Sequence, residues 1–196
     1  MRRISDFSEI MLLDFEFNWQ GASHPRLPHV VCGCAYAVRA QKPYQIWGDD
    51  GNGFCSVPPW PCDRNTLFVS FNAPAEISCY MSLGWPLPVF ILDLLIEYRL
   101  LRNGILFKKA SRKLADVMHR ENLMWIDPDN KDEMHELILR GGPYTPDEQH
   151  EILEYCWTDV QALQLLFPWA ISKLPEDLDL ALHRARYTLP RLTLRP

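Results

Sequence analysis

Residues 10–17 read "IMLLDFEF". All but two of these positions are apolar, and the run suits a pleated, buried surface, so it reads as a short strand. Side chains alternate along a strand, so Asp14 and Glu16 share one face while Leu13, Phe15 and Phe17 share the other. Two acids at the end of a buried strand are costly unless that end faces water or a divalent cation sits beside it. What surrounds the strand decides between the two.

Outward from it, "HVVCGCAYAV" (29–38), "YQIW" (44–47), "TLFVSF" (66–71) and "VFILD" (89–93) read as further strands, and the turn-rich stretch 48–65 as a loop. "APAEISCYMSLGW" (73–85) reads as a helix capped by Asn72 and stopped at Gly84. The last strand runs into the helix "LLIEYRLLRN", ended by Gly104, and helices follow at 111–120 and 131–140, the latter stopped by Gly141-Gly142. In the final long helix Thr145 is the N-cap, Pro146 takes the first helical position and Glu148 completes a capping box. Ile152, Cys156, Val160, Leu163 and Leu166 recur at helical spacing, and Tyr155 and Asp159 lie four apart on one face. Strands first, then alternation, then helices predicts an α/β domain over 1–175, a mixed sheet flanked by α-helices. Residues 176–196, acids followed by arginines and prolines, read as a tail or a truncated linker.

A chain of 196 residues supports one domain with a sizeable core. The formal net charge of −5 argues against a protein that coats nucleic acid in bulk, which is usually basic, but not against a nuclease, whose centre is itself acidic. The six cysteines show no C-x-x-C and no zinc spacing; Cys32, Cys34, Cys79 and Cys156 sit in apolar contexts as small hydrophobes. These features predict a reducing, cytoplasmic location. Asp6, Glu9, Asp14 and Glu16 interrupt the N-terminal apolar run, so it is neither signal peptide nor membrane span, and no membrane association is expected.

Two further pieces join the D-x-E pair. In "SFNAPAE" (70–76) Glu76 falls in the first turn of a helix, where the dipole favours an anion. "EYCWTDVQAL" (154–163) carries Tyr155-x-x-x-Asp159. Taken singly these fit a strand end facing water, a helix cap and an exposed rim pair. In this order they resemble the three exonuclease motifs of the DEDD superfamily, tyrosine-bearing branch, over roughly residues 8–175. "GWPLPVFILDLLIEYRLLRNG" and "KDEMHELILRGGPYTPDEQHEILEYCWTDVQAL" are similar to the proofreading domain of phage-type and bacterial family A DNA polymerases, and the second stretch also to ribonuclease D.

The resemblance implies a ribonuclease H-like exonuclease fold. It implies a metal-dependent 3′→5′ exonuclease on single-stranded DNA, releasing nucleoside 5′-monophosphates by a two-metal mechanism. The alternatives are a ribonuclease D-like exoribonuclease and a non-catalytic nucleic-acid-binding module. Asp14, Glu16, Glu76 and Asp159 would hold two Mg²⁺ or Mn²⁺ ions, since such ions prefer oxygen ligands. Tyr155 would be the fifth catalytic residue; a phenol with a pKa near 10 is a poor base at neutral pH, so its expected task is to orient the attacking water. Asn72, Lys131 and Arg140 would support the site or touch substrate, and Phe15 and Phe71 would stack bases. Arg99, Arg102, Lys108, Lys109, Arg112 and Lys113, with no acid among them, would follow the phosphates. One departure from the family pattern is Glu76 after Ala75, where Asp after an aromatic is commoner. The expected partners are single-stranded 3′ ends, DNA favoured over RNA, and a separate polymerase.

Overall fold

Strand β1 (Glu9–Asn18) occupies the middle of a five-stranded sheet, which explains why its first half is apolar on both faces. The computed structural model describes residues 1–19, 27–48, 54–102, 113–124 and 131–189. β1 pairs antiparallel with β2 (His29–Ala37) and parallel with β4 (Thr66–Ser70). β3 (Lys42–Trp47) extends the antiparallel side and β5 (Phe90–Asp93) the parallel side, giving the order β3-β2-β1-β4-β5. The sheet is mixed, as predicted. Because β1, β4 and β5 run in parallel, their C-terminal ends reach one rim, where open α/β sheets bind ligands.

Helices cover both faces. On one lie α2 (Leu94–Leu101), α3 (Leu114–Arg120) and the long α5 (Pro146–Ile171), whose Leu163 and Leu166 pack with Leu12 and Val69 of the sheet. On the other lies α1 (Ala73–Ser82), whose Ile77 and Tyr80 pack with Met11, Leu13 and Phe15. α4 (Lys131–Arg140) rests on α5 through Met134 and Ile138, and Asn18 Nδ2 donates to Ile138 O at 3.0 Å, tying the end of β1 to it. The capping box at α5 forms in both directions: Thr145 Oγ1 accepts from Glu148 N at 3.3 Å and Glu148 Oε2 from Thr145 N at 2.7 Å.

Two expectations are revised. Asn72 does not cap α1 with its side chain. Asp93 does so instead, because the β4–β5 pairing sets it opposite Ser70, directly under the start of α1. Its Oδ2 accepts from Ala73 N at 3.1 Å while Oδ1 accepts from Leu95 N at 2.9 Å and Ile96 N at 3.2 Å, so one carboxylate serves two helix starts. Within the stretch 176–196, read as tail or linker, residues Asp179–Thr188 form helix α6 on β5, α1 and α2. Ala181, Leu182 and Ala185 are its buried stripe, and Arg184 pairs with Glu97 of α2, a carboxylate only 1% exposed. Among the described residues no helix is long and apolar enough to cross a membrane.

Candidate active site

The site begins where β1 ends. Asp14 lies on the α5 side of the sheet, in contact with Cys156, and Phe15 on the α1 side. The backbone opposite Phe15 is Gly33, and a Cβ there would lie 2.6 Å from the Phe15 ring. That space admits the ring into a box of Trp60, Tyr80 and Trp85, with centroid distances of 6.1, 5.9 and 6.3 Å. Phe15 borders the cleft but is only 3% exposed, so its ring, held in this box, is not offered for stacking on bases as expected; it anchors β1 instead. Just beyond, the β1–β2 register shifts between Glu16 and Phe17. Bulges of this kind re-aim side chains at strand ends.

Helix α1 brings Glu76, in its first turn, under β1. Glu76 is 4% exposed and accepts a hydrogen bond from the Phe15 backbone N–H, yet its Oε2 has no hydrogen-bond partner among the described residues. Helix α5 brings Tyr155 and Asp159. Asp14, Glu16, Glu76, Tyr155 and Asp159 thus border a single cleft of about 450 Å³. Phe71 and Asn72, Lys131 and His135 of α4, and Lys113 before α3 line it as well.

The acids strain against one another. Burial above all, and then the charge of Asp159, holds the Asp14 carboxyl well above its usual range. Glu16 is raised by burial and by Asp14 and Asp159, and Glu76 by burial and by Asp14 and Glu16. Lys131 brings a positive charge to them, its Nζ 3.7 Å from Asp159 Oδ1 and 5.6 Å from the centre of the Tyr155 ring. Buried like charges with an oxygen left unpartnered fit a divalent cation, and oxygen donors suit Mg²⁺ or Mn²⁺. Asp14, Glu16 and Cys156 present ligand atoms within 4.8 Å of one another.

Arg140 is not brought to the cleft. Nine residues beyond Lys131, about 14 Å along a helix, it forms a two-pronged pair with Glu148, at 2.8 and 3.2 Å. The basic stretch divides as well: Lys113 reaches the cleft, Arg102 pairs with Glu121, and Arg99 lines a groove between α2 and α6. Lys108, Lys109 and Arg112 lie outside the described residues. His135 and the contact of Cys156 with Asp14 were not foreseen. Lys131 and His135 stand four apart on α4, a spacing that signals a shared face, whereas nothing in the sequence fixes which strand residue α5 sets against Cys156.

No family model matches this sequence, and no curated protein matches it. Solved structures do. One described as the apo form of a nuclease superposes with a TM-score of 0.60 at 15% identity, covering 93% of this chain and 80% of that one. Trypanosoma brucei RNase D in complex with RNA U12 superposes with a TM-score of 0.63 at 17% identity, covering 95% of this chain and 68% of that one. At such identities the likeness speaks for the fold. The chain has a ribonuclease H-like α/β fold, a mixed five-stranded sheet flanked by helices.

Proposed function

We propose that this chain is a metal-dependent 3′→5′ exonuclease that hydrolyses phosphodiester bonds at single-stranded 3′ ends and releases nucleoside 5′-monophosphates. The observation that carries this reading is the convergence of Asp14, Glu16, Glu76, Tyr155 and Asp159, from three distant stretches of sequence, on one cleft. The unpartnered Glu76 Oε2 adds to it, since a buried carboxylate oxygen without a donor calls for a cation.

In this reading Asp14, Glu16, Glu76 and Asp159 hold two divalent ions, Mg²⁺ or Mn²⁺. When bound, such ions neutralise phosphate charge and lower the pKa of a coordinated water. Asp14 stands on the central strand, in contact with the α5 side chain of Cys156. Tyr155, its ring buried in the cluster with Met134 and Ile138 of α4, would orient the attacking water by a hydrogen bond from its hydroxyl. Lys131 steadies Asp159 and faces the scissile phosphate. Phe71 and Asn72, which also line the cleft, receive the terminal nucleotide by stacking and hydrogen bonding.

The sugar divides the reading. The sequence resemblance to proofreading domains favours DNA. The superposition on a ribonuclease D solved with RNA favours RNA as a second reading. The test is digestion of 5′-labelled single-stranded DNA and RNA with Mn²⁺ and with chelator. A ladder shortening from the 3′ end, abolished by chelator and by Asp14→Ala, is expected for one or both polymers. Binding of both without cleavage in Mn²⁺ would leave the non-catalytic module, and cleavage of circular strands at a similar rate an endonuclease.

A further inference from the structure

We propose that Asp14, Glu16 and Cys156 form a thiophilic metal site that takes Zn²⁺ or Cd²⁺ and thereby excludes the hard ions of the same cleft. The site stands on its geometry; the inhibition it brings rests on the nuclease reading above. Cys156 lies one turn before Asp159 on the inner face of α5 and is fully buried. Its Sγ lies 3.5 Å from the Asp14 carbonyl oxygen and 3.7 Å from Asp14 Oδ2. Both carboxylates and this sulfur offer ligand atoms mutually within 4.8 Å. A tetrahedral zinc with bonds of about 2.0 Å to oxygen and 2.3 Å to sulfur separates its ligands by roughly 3.3–3.5 Å, so the group closes on an ion with a small movement of side-chain ends. Glu76 Oε2, buried and without a hydrogen-bond partner among the described residues, borders the cleft with Asp14 and Glu16 and marks where positive charge is missing beside them.

Sulfur decides which ion gains. A thiolate adds little for Mg²⁺, an ion that seeks oxygen, but favours Zn²⁺ and Cd²⁺. When the sulfur–metal bond forms, the thiol proton leaves to solvent and no oxidation state changes. The thiols of Cys32 and Cys34, paired with Glu16 and Asp14 across the β1–β2 ladder, both lie within hydrogen-bond reach of Cys156, and that of Cys34 can donate to the thiolate. Since Asp14 and Glu16 serve both kinds of ion, occupancy is exclusive: a trace of zinc would turn the centre off.

The test titrates Cd²⁺ into metal-free protein carrying Cys55→Ser and Cys62→Ser, which removes the two thiols nearer the surface. The readout is the ultraviolet charge-transfer absorption from thiolate to cadmium. One saturating transition is expected, lost in Cys156→Ser and weakened at least tenfold in affinity in Glu16→Gln. Circular dichroism and melting without metal check that both variants fold. If Cys156→Ser does not fold, Glu16→Gln decides alone. An undiminished band in Cys156→Ser, or unchanged cadmium affinity in Glu16→Gln, overturns the site. In rate assays, the ratio with and without Zn²⁺ at fixed Mn²⁺ should fall more than tenfold for the parent protein and less than twofold for Cys156→Ser. A protein that gives the band but cuts neither DNA nor RNA keeps the metal site and overturns the nuclease reading.

Discussion

Replacing Tyr155 by Phe separates the two jobs that its helix would perform. The ring is 9% exposed and packs with Met134, Ile138, Ile152 and Val160, so Tyr155→Ala would remove core as well as chemistry, at about 3–5 kcal/mol of stability. Phe keeps that volume. It also keeps the ring beneath Lys131, 5.6 Å from Nζ, a contact worth about 0.5–1 kcal/mol. Only the phenol O–H is lost. If that group orients the attacking water, the loss is about 1–3 kcal/mol of transition-state stabilisation, or about 5- to 150-fold in rate. The companion variant is Asp159→Asn, which removes a proposed metal ligand and the charge facing Lys131 at 3.7 Å. Single-turnover cleavage of a 5′-labelled strand gives the rates, and calorimetric titration with Mn²⁺ gives the affinities. Tyr155→Phe should slow cleavage with Mn²⁺ affinity intact; Asp159→Asn should weaken Mn²⁺ and abolish most activity. The argument fails if Tyr155→Phe cleaves at the parent rate, or if it loses Mn²⁺ affinity as Asp159→Asn does.

Other outcomes follow from the same geometry. The carboxyls of Asp14, Glu16 and Glu76 titrate well above their usual values in the folded chain, so this folded state holds protons more tightly than the unfolded one. Their contribution to stability is therefore fully present below about pH 4 and is lost as pH rises through the raised values. In chelator, melting scans should show this cluster destabilising the protein towards neutral pH, and Glu76→Gln should lessen the loss; added Mn²⁺ should restore stability most at the higher pH. Arg140→Gln should leave the cleavage rate within about twofold because Arg140 is engaged with Glu148 outside the cleft, whereas Lys131→Met should slow it at least tenfold. Asp93→Asn loses an acceptor at one of two helix starts and should cost about 1–2 kcal/mol, seen as a lowering of the melting temperature by several degrees.

Much of this molecule was legible in its sequence because the decisive signals are local. The apolar run 10–17, the capping box Thr145–Glu148 and the four-residue step from Tyr155 to Asp159 each need only neighbouring residues to be read, and each corresponds to an element as expected. What escaped depends on partners far along the chain. Asn72 has the right side chain to cap α1, but Asp93, twenty residues beyond Ala73, is delivered there by strand pairing. Phe15 looks available for stacking until Gly33, Trp60 and Trp85 close around it. Arg140 shares a helix with Lys131, yet helix length carries it to the other end. The stretch from 176 reads as linker because acids come first and four arginines and two prolines follow; three small or aliphatic side chains at the right spacing suffice to dock it.

That docking predicts how short a chain can be and still fold. Glu97 lies almost wholly inside the protein, and its carboxylate meets Arg184 through two hydrogen bonds. Cutting the chain at 175, where the sequence seems to run out of domain, would leave that carboxylate buried without its counter-charge, a loss of about 3–5 kcal/mol. It would also strip Ala181, Leu182 and Ala185 from the edge of the sheet at β5. Against the margin of about 5–15 kcal/mol usual for a folded domain, such a loss is large, and a fragment or fusion meant to carry the cleft is expected to melt higher when it extends past Arg184 than when it ends at 175.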